Sequence, residues 1–512
     1  MEMSKQDTNI FEIKAKAGTD PVNLLKLASE CFTKNNLYKA RFYLESLIKE
    51  YPVRAEYLSA LGTVYKKLGN LEEAKKWYSK TIEIDPESYE AHYNLGLVFC
   101  QEGDTASEIN SFLKAIQFNP ELYLAYYNIG NAYRKLEQFD KAEKFYKEAI
   151  VIKNNFDDAY FNLGVIYERS GKFFEGLECY KKAIEINPKH NSAIWNKALL
   201  DLKLENFDDG WEEFEFRKDF KFENTKKITK KLLENQDVKG KRILVYSEQG
   251  LGDNIQFSRY LRLLKEKGAY VIFECNPKLF HLFQGHHYID EIVQQTGSNN
   301  SRIAFDYQIA LLSLPKYFNT RIENIPAYFP YLYASYDKIQ KWKKILSESD
   351  ELKIGLAWSG APNNIYGKDR SCPLNALLPL LFINGVKFYS LQKSDTYNPS
   401  IDESIPVTVF SDIDSIPFVD SAAIIQNLDM VISIDTSIAH LAGAMGKETW
   451  VMLPYYSDWR WFIDRDSSPW YPTMKLFRQT KNGDWDGLIN RIKDKLQHKL
   501  SLKNISQDFV LN

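Results

Sequence analysis

The sequence predicts an α-helical repeat solenoid followed by a two-lobed α/β region, and three observations carry that expectation. Glycines recur every 34 residues, at Gly62, Gly96, Gly130 and Gly164. From Arg242 onward, short apolar runs alternate with helical patterns, the texture of parallel sheets covered by helices. A charged helical stretch, Ile339 to Leu352, divides those runs into two sets. The boundaries that follow are a solenoid over 20–217, a linker over 218–241, an N-terminal lobe over 242–345 and a C-terminal lobe over 346–498.

Other positions keep step with the glycines. Tyr65, Phe99, Tyr133 and Tyr167 share the spacing, as do Tyr78, Phe112, Tyr146 and Tyr180, and Ile82, Ile116, Ile150 and Ile184. Small residues at fixed places let paired helices approach, and aromatics fill the gaps between them. The pattern resembles the tetratricopeptide repeat, a helix-turn-helix unit of this length. There are about five units, the first marked only by Ala28, Ala40 and Pro52, and then a degenerate packing segment from Ala193 to Phe216. Stacks of this kind offer a concave surface to a protein or peptide partner. Asn94, Asn128 and Asn162 share the period, and either line that surface or cap and bridge their own helix pairs.

Composition narrows the function classes. The formal net charge is −2, so there is no global pull toward nucleic acid or an acidic membrane surface. The five cysteines are scattered and form no C-x-x-C pair, which suggests neither a zinc site nor a disulfide framework. No apolar run is long enough to span a membrane, and the start MEMSKQDTNIFEIK has no secretory core, so a cytoplasmic location is expected.

The runs that read as strands are ILVYS (243–247), YVIFEC (270–275), FDYQIAL (305–311), KIGLAWS (353–359), VKFYSLQ (386–392), MVISID (430–435) and TWVMLP (449–454). In open parallel sheets, ligands bind beyond the carboxyl ends of the strands, and the unusual loops lie there. After ILVYS, Gly250 and Gly252 bracket a tight turn and are expected to open the backbone to a ligand. Asp253 is then either a general base or an N-cap. GLAWSG ends in Ser359 and Gly360, and a loop follows that contains Lys368 and Arg370. Those cations either neutralise a diphosphate or stay solvated. Gln392 and Lys393 are placed to meet a base or ribose. In VISIDTSIAHLAGAMG (431–446), Asp435, Thr436, Ser437 and His440 gather where a strand hands over to a helix. They form either a phosphate cradle on the helix N-terminus or a simple cap with a histidine nearby. Asp458, Trp459 and Arg460 follow the last run and fall at the rim of the expected cleft. The D-x-D triplets Asp412/Asp414 and Asp464/Asp466 are of a type that holds metal in some sugar transferases, but they also arise by chance.

The repeats together with EQGLGD, GLAWSG, SLQK, DTSIAHLAGAMGK and LPYYSDWRWFIDRDSSPWYP resemble bacterial tetratricopeptide-repeat glycosyltransferases. Their catalytic half is heptosyltransferase-like, of family nine, and has the twin Rossmann-like lobes of the GT-B type. The overall plan is also similar to that of the protein O-linked N-acetylglucosamine transferases. The resemblance implies inverting transfer from a nucleotide-sugar donor, with Asp253 as the base. Asp435, Thr436, Ser437 and His440 would hold the diphosphate and ribose, and Lys368 or Arg370 would offset the phosphate charge. The loop around Lys368 departs from the heptosyltransferase pattern, so ADP-heptose is not implied. No metal or other cofactor is expected, and the repeats would present a protein or glycan acceptor. The alternatives are a catalytically inactive repeat scaffold and, more distantly, a nucleotide-sugar epimerase.

Overall fold

The computed structural model describes residues 20–218, 232–296, 303–346, 350–360, 370–392, 404–410 and 417–511. The chain forms two compact units, Met1–Ile194 and Trp195–Asn512. The division lies between Ile194 and Trp195, inside the degenerate segment that starts at Ala193.

In the first unit, helices pair in chain order: Pro21–Thr33 with Leu37–Glu50, Ala55–Lys67 with Leu71–Ile84, and Tyr89–Glu102 with Thr105–Phe118. Tyr123–Lys135 with Phe139–Ile152 and Asp157–Arg169 with Phe173–Ile186 complete the series. The last four pairs each close on one contact, a ring laid over a glycine. A Cβ at Gly62, Gly96, Gly130 or Gly164 would meet the ring of Tyr78, Phe112, Tyr146 or Tyr180 at 2.6–2.8 Å. All four rings are fully buried.

The turn inside each pair repeats just as strictly. Asn35, Gly69, Gly103, Glu137, Gly171 and Glu205 all have φ between +56° and +79°, and they stand 34 residues apart. Only glycine adopts this left-handed conformation without cost, yet the register holds even where the residue is glutamate. The next residue starts the second helix, and the side chains of Asn36, Asn70 and Asp104 cap it. The periodic asparagines link successive repeats. Asn128 Nδ2 donates to the Tyr93 hydroxyl at 3.2 Å, Asn162 Nδ2 to the Tyr127 hydroxyl at 2.8 Å, and Lys66 Nζ to Asn94 Oδ1 at 2.8 Å.

The division falls within helix α1 (Asn191–Lys203), which is joined at the Glu205 turn to α2 (Phe207–Phe214) of the second unit. Trp211 of α2 is buried, and its indole N–H donates to the Thr320 carbonyl at 3.0 Å. The first sheet contains β1 (Arg242–Tyr246), β2 (Tyr270–Cys275), β3 (Glu291–Gln294) and β4 (Tyr307–Ala310). Its order is β3-β2-β1-β4 and all pairs are parallel. Helices α3 (Leu251–Phe257) and α4 (Arg259–Glu266) follow β1. Of the expected linker, 219–231 lies outside the described residues. Leu233 and Val238 are buried, and the Leu233 amide donates to the Gln308 carbonyl at 2.9 Å, so this part belongs to the lobe.

The expected helix over Ile339 to Leu352 is shorter in the structure: α5 runs Tyr336–Ile345, and Leu352 already starts a strand. The second sheet contains β5 (Leu352–Ala357), β6 (Val386–Ser390), β7 (Val407–Thr408), β8 (Met430–Ile434), β9 (Thr449–Leu453), β10 (Ser467–Ser468) and β11 (Tyr471–Arg478), with α6 (Leu374–Leu381) between β5 and β6 and α7 (Phe418–Gln426) between β7 and β8. Its order is β10-β11-β9-β8-β5-β6-β7, parallel except for the β10–β11 pair. In both sheets the chain winds outward from the first strand, then returns to that strand's other side. The strand order reverses between β1 and β4 in one sheet, and between β5 and β8 in the other. One hydrophobic core spans both lobes; a second lies on the far face of the larger sheet. Among the described residues, no helix is long and apolar enough to cross a membrane.

The ring-on-glycine contact gives a direct test. Gly130→Ala forces a methyl into the Tyr146 ring and is expected to cost about 1–3 kcal/mol by overpacking, despite alanine's better helix propensity. Urea unfolding followed by helical signal checks it; an unchanged or higher midpoint contradicts the packing.

Candidate functional site

The two reversal points carry the loops singled out in the sequence, and the fold brings them together. Helix α3 leaves the carboxyl end of β1, and α8 (Ser437–Ala444) leaves that of β8. The two helices pack against each other. Gly252 lies against α8 so closely that a Cβ there would meet His440 Cδ2 at 2.8 Å and the Ser437 Cα at 3.6 Å. This corrects the reading of Gly252 as an opening for a ligand: its missing side chain makes room for His440 of the other lobe. A Cβ at Gly250 would meet Asp253 Oδ2 at 2.8 Å, so the carboxylate of its own turn fills that space. The left-handed residue of the turn is neither glycine but Gln249, with φ +57°.

Asp253 is held at both oxygens. Oδ2 accepts from the Gly250 amide at 2.9 Å, an arrangement that ties down the first turn of α3. Oδ1 accepts from Arg460 Nη2. The guanidinium also donates from Nε to Gln256 Oε1 and from Nη1 to Asp458 Oδ1, both at 2.8 Å. Burial alone would lower the Arg460 pKa, but Asp458, Asp253 and Asp435 raise it above its ordinary value. Glu248, in the same turn as Asp253, accepts from Arg217 Nη2 at 2.6 Å. Arg217 is itself 1% exposed and also bonds Glu215 at 2.7 Å and the Ser313 hydroxyl at 2.6 Å.

On α8, neither Asp435 nor Thr436 acts as a side-chain cap. Thr436 is the N-cap residue but makes no capping bond, and its hydroxyl lies 3.2 Å from that of Ser433. The Asp435 carboxylate turns sideways, to Arg370 Nη1 at 3.4 Å and His440 Nε2 at 3.7 Å. Burial raises the Asp435 pKa, and Arg370 offsets this only in part. For His440, burial and then the Arg460 charge lower the pKa to about 3, so its ring is neutral, with Nδ1 2.8 Å from the Tyr471 hydroxyl. The first turn of α8 thus presents its N–H groups and the positive end of the helix dipole without a side-chain cap, an arrangement suited to an anion.

The remaining expected contacts divide. Gln392 closes the ends of β5 and β6: Oε1 accepts from the Trp358 and Ser359 amides at 3.1 and 2.9 Å, and Nε2 donates to the Ser359 carbonyl at 2.8 Å. This corrects its reading as a base or ribose contact, because backbone groups take up its amide. Ser359 is buried beside it, at the switch point across from Asp435. Lys368, Lys393, Asp412 and Asp414 lie outside the described residues. Among the described residues, no group of three or more His, Cys, Asp or Glu side chains is placed to hold a metal ion. The group underrated by sequence reading is Arg460. Its partner Asp253 lies 207 residues away, and no local spacing signals such a pair.

Sequence models of the repeat family match within the first unit. The one described as "TPR repeat" covers 62–103 and 130–171; others, described as "Tetratricopeptide repeat", cover 89–122, 111–144 and 157–190. Residues 62–190 consist of tetratricopeptide repeats. Such repeats are protein-interaction modules. Protein FlbA of Caulobacter vibrioides is 24% identical over 324 residues, 58% of this chain and 53% of that protein. The chain thus spans about half the length of this curated relative. Among solved structures, MamA is 29% identical with a TM-score of 0.31, over 33% of this chain and 92% of that one. YrrB, titled "a TPR protein with an unusual peptide-binding site", is 23% identical with a TM-score of 0.31, over 35% of this chain and 93% of that one.

The neutral state of His440 has a measurable consequence. Its pKa falls from the ordinary 6.5 to about 3, and burial lowers that of His286 to about 4. Below pH 6.5 the unfolded chain binds protons that the folded chain refuses, so stability declines as pH falls from 6.5 toward 3. Urea unfolding at pH 7 and pH 5 is expected to show this decline, and His440→Gln to make it shallower. An equal decline in the variant contradicts a neutral, buried His440.

Proposed function

We propose that residues 242–498 form a glycosyltransferase that moves a sugar from a nucleotide-sugar donor to an acceptor nucleophile. One observation carries this reading: the switch points of two parallel sheets meet, with Gly252 on His440 and Asp253 on Arg460. Open parallel sheets bind their ligands at such points. In this scheme the donor diphosphate rests on the uncapped first turn of α8, and Arg370 beside Asp435 offsets its charge. Asp253 takes the proton of the acceptor hydroxyl. The acceptor oxygen bonds to the anomeric carbon as the carbon–oxygen bond to the diphosphate breaks, and the nucleoside diphosphate leaves with the electron pair. A helix N-terminus and guanidinium groups supply the charge stabilisation, so the scheme contains no metal. The tetratricopeptide repeats would present the acceptor, a protein or peptide segment.

A second reading, an inactive repeat scaffold, draws on the fact that both Asp253 oxygens already have partners. The two readings separate on ligand binding. Under the transferase reading, one of UDP, GDP, CDP, ADP or dTDP raises the thermal midpoint of the full chain, by the equivalent of about 2.7 kcal/mol at a hundredfold excess over Kd. The matching nucleotide sugar is turned over in the presence of EDTA, and Asp253→Asn sharply lowers turnover but keeps binding. No response to any of the five diphosphates supports the scaffold.

A further inference from the structure

We propose that Arg460 is the positioning residue for Asp253, setting its carboxylate for proton transfer while the charge that Arg460 keeps throughout offsets that of the departing diphosphate. The inference rests on the transferase reading above and names the group that would make Asp253 work.

Arg460 is placed with unusual care. It is 8% exposed, and its three nitrogens go to three different side chains, two from the first lobe and one from its own loop. Its guanidinium carbon lies 4.6 Å from the Trp459 ring centroid, which fixes the plane of the fork. The loop itself is braced from below: Arg478 donates to the Trp461 carbonyl and, at 2.9 Å, to the Ser457 hydroxyl. Immediately afterwards Phe462 has φ +56° and ψ −161°, a backbone state that large side chains rarely adopt. Strain of this kind persists only where the surrounding structure enforces it, and here the enforced object is the three-residue turn that carries Arg460.

The chemistry follows from counting lone pairs. A carboxylate offers about four acceptor sites, and Gly250 and Arg460 use two on Asp253, leaving room for an acceptor hydroxyl. With one oxygen held by a backbone amide and the other by a rigid fork, the carboxylate has a single orientation. When the hydroxyl proton moves to Asp253, that side chain loses its charge and its claim on the guanidinium. At the same moment negative charge develops on the leaving diphosphate at α8. Arg460 stays protonated throughout and already lies within the electrostatic reach of Asp435, the residue that precedes α8's N-cap. Its retained charge, no longer opposed by Asp253, then offsets that of the leaving group in the same step.

The test is a double-mutant cycle in the full-length protein, read as nucleoside diphosphate release from a panel of UDP-, GDP-, CDP-, ADP- and dTDP-sugars. Arg460→Ala is expected to lower kcat by about a hundredfold or more and to change donor KM by less than about threefold, because that offset arises only in the transition state. In the Asp253→Asn background the same substitution is expected to cost less than about fivefold, since a residue acting through Asp253 has nothing left to act through. Added guanidinium chloride partly restores Arg460→Ala but not the double variant. Should Arg460→Ala fail to fold, Arg460→Lys, which keeps the charge and loses the fork, enters the same cycle with the same expected non-additivity. Full multiplicative losses in the two backgrounds, or a loss borne by KM, overturn the inference and leave the transferase reading standing. Release from none of the donors by the unaltered protein overturns both.

Discussion

Everything distinctive about the second unit depends on bringing two helix N-termini into contact. The starts of α3 and α8 both carry the positive end of a helix dipole, and each stands at the carboxyl end of a strand of a parallel sheet. Two such ends repel unless negative charge stands between them. Asp253, Asp435 and Asp458 provide it; Arg460 ties Asp253 to Asp458 across the lobes, and Arg370 holds Asp435 within the second lobe. Gly252 is the steric condition for the contact, because any side chain there would displace His440. The buried, neutral imidazole is in turn a product of the same crowding: burial and the adjacent guanidinium keep it from taking a proton.

The helical repeats follow a different and more local logic. Four of the five pairs are closed by a ring on a glycine, and all five by a left-handed turn at a fixed place, so the unit can be copied without long-range adjustment. The turn register outlasts the sequence signature: Glu205 holds it in the pair α1 and α2, where the glycines and tyrosines of the earlier repeats have gone. Trp211 of that pair and Arg217 in the turn after it face the first lobe. Arg217 reaches Glu248 in the very turn that contains Asp253. Removing one member of so buried an ion pair typically costs about 3–5 kcal/mol, which makes α2 and the turn after it part of the lobe's foundation.

The sequence made the repeats, the two sets of strands and the position of the α3 and α8 turns readable, because each writes a periodic or apolar signal along the chain. It hid the edges. β3 and β7 are short and half exposed, and β11 contains Pro472 and alternates polar with apolar residues, so none resembles a buried run. It also misled on roles that depend on what lies opposite. Gln392 and Gly252 look like ligand contacts when read along the chain, but across the fold one fastens two strand ends and the other admits a histidine. Arg460 stood in plain view among tryptophans, and only the pairing with Asp253 gives it meaning. Contacts between residues this far apart leave no spacing to detect.

The claim on which all of this converges is that the abutting turns of the two lobes form an anion-binding crevice for a nucleoside diphosphate. Hydrogen exchange on the full chain, with and without each of the five diphosphates, tests it at the residues concerned. The account predicts slower exchange of the amides in 247–254 and 435–440 with one of these ligands, and unchanged exchange across 62–190. Protection confined to the repeats, or none at either turn with any of the five, would contradict it.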